Sequence, residues 1–346
     1  MSGNRMHFGS AVLIAVVLIG LVPRASAQTV GEVFRKVNVS VVVIRAKGRD
    51  VAAGGDAVRF NEIGSGVLIS GDGRVMTAAH VVHAMDDISV ELSSGETVPA
   101  RVIASEPAAD LSMIKLDRVP AGAKAAPLAN SDTVRIGDQV IVVGAPYGLA
   151  HSMTVGWISA RWGPNTVYKE MPLAEFFQTD AVINQGNSGG PMFNMAGEVI
   201  GIVSHNISKS GGSEGLGFVV TSNTARKLLL EQRSVWSGLE GRLLTNDLAD
   251  ILNLPPKALG YLVKTVAARS LGEAFGLRGG TKVATIDGEK IVVGGDIILK
   301  VHGIPVNDFA SYERIRTALM GVPPGASITV TILRSGEVLD LTGRLP

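Results

Sequence analysis

The chain has 346 residues, enough for about two domains, and 46% of them are hydrophobic. Lys and Arg number 32 against 31 Asp and Glu; with a net charge of +1 and no basic block, there is no electrostatic case for a nucleic-acid partner. The absence of cysteine excludes thiol catalysis, thiolate metal sites and a disulfide framework.

The first element is a targeting segment. MSGNRMHF carries one basic residue, GSAVLIAVVLIGLV is an uncharged apolar run, and PRASA ends in small residues, the plan of a signal peptide over 1–27 cleaved after Ala27. The run is shorter than the roughly 20 residues of a spanning helix. Export to a bacterial periplasm is expected, and retention of the segment would leave a membrane tether instead.

From Val30 to about Ser234 the chain reads as short strands between turns: VSVVVIRAKG, SGVLIS, GRVMTAAHVV, DISVEL, ADLSMIKL, DQVIVVGA, GEVIGIVSH and GLGFVVT. Their regular spacing and Asp-Gly turns predict antiparallel barrels or a sandwich, and amphipathic crossover helices are missing. SNTARKLLLEQR at 222–233 is the first credible helix, with Ser222 or Asn223 as its N-cap. Beyond Gly238, helical stretches (NDLADIL, SLGEAFGL, FASYERIRTALM) mix with strands (YLVKTV, DIILKVHG, SITVTILRSG), a compact α+β module. The class is therefore mainly β, with domains at 28–236 and 237–346.

The stretch NQGNSGGPMFN at 184–194 frames Ser188 with glycines. GNSGG fits the nucleophile elbow of α/β-hydrolases, but that elbow needs a helix after the serine, where Pro191 and a strand follow here. It also needs its histidine downstream, and His205 and His302 have no suggestive setting. The order histidine, aspartate, serine fits better: His80 closes RVMTAAH, Asp110 opens the strand in PAADLSMIKL, and Ser188 follows. Their intervals put His80 and Asp110 in a first barrel and Ser188 in a second, with the site between them. Glycines at 186 and 189 allow unusual dihedrals, so that the N–H groups of Gly186 and Ser188 can converge as an oxyanion hole.

TAAH, DLSMIKL, GNSGGP and GLGFVVTSN, in that order, resemble the HtrA/Deg family of trypsin-like serine proteases over nearly the whole mature chain. The resemblance implies a trypsin-like double β-barrel followed by a PDZ-like domain. It makes His80 the general base and acid, Asp110 its orienter and Ser188 the nucleophile, with no cofactor and no metal. Segments 202–206 and 216–218 would wall the specificity pocket, where Ile202, Val203, Ser204 and Leu216 imply cleavage after small aliphatic residues. The implied substrates are unfolded or damaged envelope proteins, and the implied assembly is a homotrimer through the N-terminal part of the protease, with VGEVFRKV at 30–37 as contact. A gated enzyme acting mainly as a peptide-binding chaperone or tethered sensor is the alternative. Gln185 departs from the family pattern without touching the chemistry.

AARSLGEAFGLRGG and GGDIILKVHGIPVNDFASYERIRTAL are similar to the family's PDZ segments. By that likeness the loop Leu239-Glu240-Gly241-Arg242 would receive the carboxylate of a hydrophobic C-terminal peptide. Glu240 is unfavourable there unless Arg242 offsets it, and TKVATIDGEKIVVGG is an extra hairpin-like stretch. HVVH lacks the spacing of a zinc helix. His151, His205 and His302 are expected in solvent, and Trp157, Trp162 and Trp236 in the core or an interface.

Overall fold

The computed structural model describes residues 28–345 apart from 53, 150 and 257; the signal segment expected over 1–27 lies outside them. The chain opens on helix α1 (Val30–Val37), whose start is set by a capping box between Thr29 and Glu32. Its apolar stripe buries Val33 and Val37. Six strands follow: β1 (Val41–Val51), β2 (Ala57–Leu68), β3 (Arg74–Thr77), β4 (Asp87–Glu91), β5 (Thr97–Glu106) and β6 (Leu111–Leu116). They close as an antiparallel barrel in the order β1-β2-β3-β6-β5-β4. A one-turn helix, α2 (Ala79–Val82), leaves the end of β3.

A second barrel repeats the plan with β7 (Gln139–Gly144), β8 (Ser152–Trp162), β9 (Phe176–Thr179), β10 (Pro191–Asn194), β11 (Val199–Asn206) and β12 (Gly217–Thr221), closed as β10-β11-β12-β9-β8-β7. Closure removes every sheet edge from both barrels. Each is filled by its own apolar cluster, Val42, Ile44, Val90 and Ile114 in the first and Val140, Phe177, Met192 and Val203 in the second. A third cluster, with Met76, Leu111, Ile141, Phe193 and Ile202, draws on strands of both barrels and takes in Val33 and Val37 of α1. The two barrels therefore share one core, and any site at their junction is held from both sides.

Helix α3 (Ser222–Arg226) continues through a wide turn over Lys227–Glu231. Its N-cap is Thr221, one residue earlier than expected, because the Ser222 hydroxyl is drawn away to the carbonyl of Ala129 at 2.9 Å.

The C-terminal part holds β13 (Leu239–Leu243), α4 (Asn246–Ile251), β14 (Tyr261–Val266), α5 (Leu271–Ala274), β15 (Lys282–Ile286), β16 (Glu289–Val293), β17 (Ile297–Val301), β18 (Ile304–Pro305), α6 (Phe309–Gly321), β19 (Ser327–Arg334) and β20 (Glu337–Arg344). Its main sheet runs β13-β14-β17-β19-β20, and β15 with β16 forms a separate hairpin, as TKVATIDGEKIVVGG suggested. The architecture is mainly β, a double barrel of trypsin-like plan with an added α+β sheet that fits a PDZ-like domain. Trp236 is half-buried and donates to the His83 carbonyl at 2.9 Å, whereas Trp157 and Trp162 stand exposed on β8, outside either barrel core. Alternate residues of a barrel strand face outward, and a bulge between Ile158 and Ala160 shifts the alternation so that both tryptophans, five residues apart, lie on that face. Among the described residues no helix is long and apolar enough to cross a membrane.

Candidate active site

His80 sits in α2, just past the end of β3, and Asp110 ends a one-turn 3₁₀ segment (Pro107–Ala109) just before β6. Asp110 adopts a left-handed conformation, φ 51°, which turns its side chain back toward α2. Both oxygens of its carboxylate lie 3.0 Å from His80 Nδ1, and the His80 backbone N–H also donates to Oδ1 at 3.0 Å. An ionised carboxylate only accepts, so Nδ1 carries the proton and Nε2 is left as the free base. Asp110 is 4% exposed, while 46% of the His80 side chain is open to solvent.

Burial opposes charge on both partners, but mutual attraction wins. Burial disfavours the His80 imidazolium, yet the Asp110 charge and its hydrogen bond raise the His80 pKa above the ordinary value. Burial likewise opposes ionisation of Asp110, and His80 together with the Ser204 hydroxyl holds the carboxyl below the usual range.

Ser188 lies in the turn before β10, across the barrel junction. Its Oγ donates to the carbonyl of Ser204 at 3.3 Å. The turn is built on glycine: Gly186 has φ 98°, and a Cβ there would lie 2.2 Å from the carbonyl oxygen of Ala145. Gly189 has φ 80°, and a Cβ there would meet Thr77 Oγ1 at 2.1 Å. Only glycine fits either place. The N–H groups of Gly186 and Ser188 have no protein acceptor among the described residues.

Two residues that hold this arrangement escaped the sequence reading. Ser65, on β2, bonds across the junction: its Oγ donates to the Gly186 carbonyl at 2.7 Å and accepts from the Ala145 N–H at 2.9 Å. Its own N–H donates to the Ser188 carbonyl at 2.8 Å. In GSGVLIS it reads as a hairpin serine, and nothing nearby in sequence names its partners. The second is His205, which is not in solvent as expected but on β11, its ring stacked on Phe218 at 5.3 Å and edge-on to Tyr168 at 4.4 Å. Of the other two histidines, His302 is exposed and His151 is half-buried with Nδ1 2.8 Å from Asn38 Oδ1. His83 is buried with Nδ1 2.7 Å from Ser105 Oγ, which gives the second histidine of HVVH a structural partner.

The residues expected to wall a specificity pocket divide. Ile202 packs in the core shared by the barrels and Val203 in the second barrel, so neither forms an apolar wall beside Ser188. Ser204 turns its hydroxyl to Asp110, and Leu216 is exposed. Strand alternation sends Ile202 and Val203 to two different cores. A preference for small aliphatic residues does not follow from them.

Leu239, Glu240, Gly241 and Arg242 form a paired strand rather than a loop, with β13 laid antiparallel on β14. Glu240 is offset by Lys264 at 3.1 Å and not by Arg242, which reaches Glu289 of the extra hairpin at 2.8 Å. Residues two apart on a strand would share a face, but a bulge between Glu240 and Gly241 breaks the alternation of β13 between them.

Comparison with known proteins agrees with this geometry. The profile described as Trypsin-like peptidase domain matches residues 64–202. The chain is 32% identical to the periplasmic serine endoprotease DegP of Escherichia coli (strain K12) over 297 residues, covering 83% of this chain and 58% of the relative. It is 33% identical to DegP of Salmonella typhimurium (strain LT2), again over 297 residues with 83% and 58% covered. It thus spans about 58% of the length of these curated relatives. The solved structure of the HtrA-type protease AlgW with decapeptide aligns with TM-score 0.53 and 28% identity over 91% of this chain and 98% of that one. Motifs, double barrel and relatives agree, and the chain belongs to the HtrA/Deg family of trypsin-like serine proteases.

Proposed function

We propose that residues 28–236 are an exported, periplasmic serine endopeptidase that cleaves unfolded or damaged polypeptides, and that residues 237–346 are a PDZ-like module. The observation that carries the reading is the His80–Asp110 pair across the junction from Ser188, whose turn presents two unpaired backbone N–H groups. The Ser188 hydroxyl leaves the Ser204 carbonyl for His80 Nε2, which takes its proton as Oγ attacks the scissile carbonyl carbon. The oxyanion is met by the N–H groups of Gly186 and Ser188, a contribution on the order of 10²–10³ in turnover per donor. His80 then protonates the leaving amine as the C–N bond breaks, and Asp110 stabilises the transient imidazolium. His80 then deprotonates a water that attacks the acyl carbon, and passes that proton to Ser188 Oγ as the ester bond breaks. The chemistry asks for no metal or nucleotide.

The outer edge of β13 ends the main sheet, so an extended C-terminal peptide has a strand to pair with there. The gated form of the enzyme is favoured by one observation: Glu106, four residues before Asp110, is bound by Tyr312 and Arg316 of α6. Trimerisation through 30–37 rests on family likeness, since α1 already buries Val33 and Val37 in its own core.

The test is degradation of unfolded casein by residues 28–346, without metal or nucleotide, beside Ser188→Ala. Cleavage by the wild type alone is expected. Equal cleavage by the variant, or none by folded wild type with a C-terminal peptide added, overturns the reading.

A further inference from the structure

His205 enters none of the catalytic steps above, yet it is bonded into the same network. Ser204 Oγ touches both Asp110 Oδ2 and, at 2.9 Å, His205 Nδ1. A hydroxyl has one proton to give. Asp110 is ionised and accepts only, so the Ser204 proton goes to Asp110. His205 Nδ1 must therefore be the donor into Ser204 Oγ. That fixes the second histidine as the Nδ1–H tautomer, and its Nε2 is buried without any partner.

The surroundings keep it there. Phe218 stacks on the ring, and Tyr168 and Phe176 meet it edge-on at 4.4 and 5.7 Å. The ionisable groups felt by His205 are Asp110, reached through Ser204, and His80, while Tyr168 contributes its ring. Burial in this cage holds the pKa of His205 down; Asp110 works the other way and His80 with the burial. A neutral, caged imidazole can turn only by breaking its stack, so its N–H is a fixed donor.

We propose that His205 is a positioning residue for the protease reaction: its Nδ1–H orients the Ser204 hydroxyl onto Asp110 and so sets the charge that Asp110 presents to His80. Ser204 freed from His205 can rotate away, leaving Asp110 with one donor fewer. The carboxylate then draws the His80 imidazolium more strongly, and His80 holds its proton to higher pH.

The inference rests on the protease reading, so the experiment runs on wild type and Ser188→Ala first, which tests that reading alone. His205→Phe then keeps the stacked ring and removes the donor, while His205→Asn restores an N–H near the Nδ1 position. With a chromogenic peptide, His205→Phe is expected to lower kcat about fivefold, the value of one net hydrogen bond, at unchanged KM. The acid limb of its kcat/KM profile moves to higher pH, and His205→Asn brings both back toward wild type. Wild-type behaviour in His205→Phe overturns the proposal. So does equal loss in both variants, because the N–H that asparagine supplies would then rescue nothing.

Discussion

The Asp110 carboxylate accepts from three donors, the His80 imidazole, the His80 backbone N–H and the Ser204 hydroxyl. Such a carboxylate stays charged, and a charged neighbour raises the pKa of His80 against the pull of burial. The sign of the pH dependence follows, because the base must be neutral to take the serine proton. Activity is lost as pH falls through the His80 pKa, and that limb centres above the ordinary value of about 6.5. A profile of kcat/KM from acid to mildly basic pH checks this, and a midpoint at or below the ordinary value would contradict it. The proposed triad of His80, Asp110 and Ser188 was legible in the sequence because each member lies in a short characteristic run, with small residues behind the histidine and glycines around the serine. Ser204 was legible only as a position on the right strand, since its bond to Asp110 spans 94 residues.

At the scale of elements, the decisive link is between β2 and the turn before β10. Ser65 is buried and satisfies the Ala145 N–H and the Gly186 carbonyl at once. Ser65→Ala leaves both backbone groups buried and unpaired, at about 1–3 kcal/mol each. We expect kcat to fall on the order of tenfold, the rate equivalent of about 1.4 kcal/mol, as the turn loses its fixed geometry, with KM little changed. An ester burst experiment separates the two outcomes: a reduced acylation rate supports the role, and an unchanged one removes it. The barrels themselves were readable, since period-two strands and Asp-Gly turns leave few other solutions. Register was not, and the two misplaced features follow from that. Ile202 and Val203 were assigned to a pocket and lie in cores, and residues 239–242 were assigned to a loop and lie in a strand. One residue of alternation decides which core Ile202 and Val203 enter, and pairing with β14 makes 239–242 a strand.

For the whole molecule, the C-terminal module is fastened to the first barrel. Glu106 at the end of β5 accepts from Tyr312 and Arg316 of α6, and this ion pair is 8% and 14% exposed. Asp86 accepts from the Ala268 N–H at 3.1 Å, and Arg233 donates to the Val322 carbonyl at 2.6 Å. Glu106→Gln strands a buried guanidinium, a loss of about 3–5 kcal/mol. The expected result is faster proteolytic nicking around 232–238 and a lower Tm. Nicking at the wild-type rate would show that the module is held elsewhere. None of these contacts was visible in the sequence, where their partners stand up to 210 residues apart.

The attachment of Glu106 has a thermodynamic corollary. Between it and Asp110 stand only Pro107, Ala108 and Ala109, a stiff single turn. Whatever shifts α6 therefore tugs the strand end that aims the orienting carboxylate. Linkage runs both ways, because a free energy shared by two sites belongs to neither. An acyl group on Ser188 that favours one setting of Asp110 must favour the matching seat of α6 by the same factor. In the gated form proposed above, the module would then respond to the chemistry as well as control it, gripping the barrel differently while a substrate is being cut.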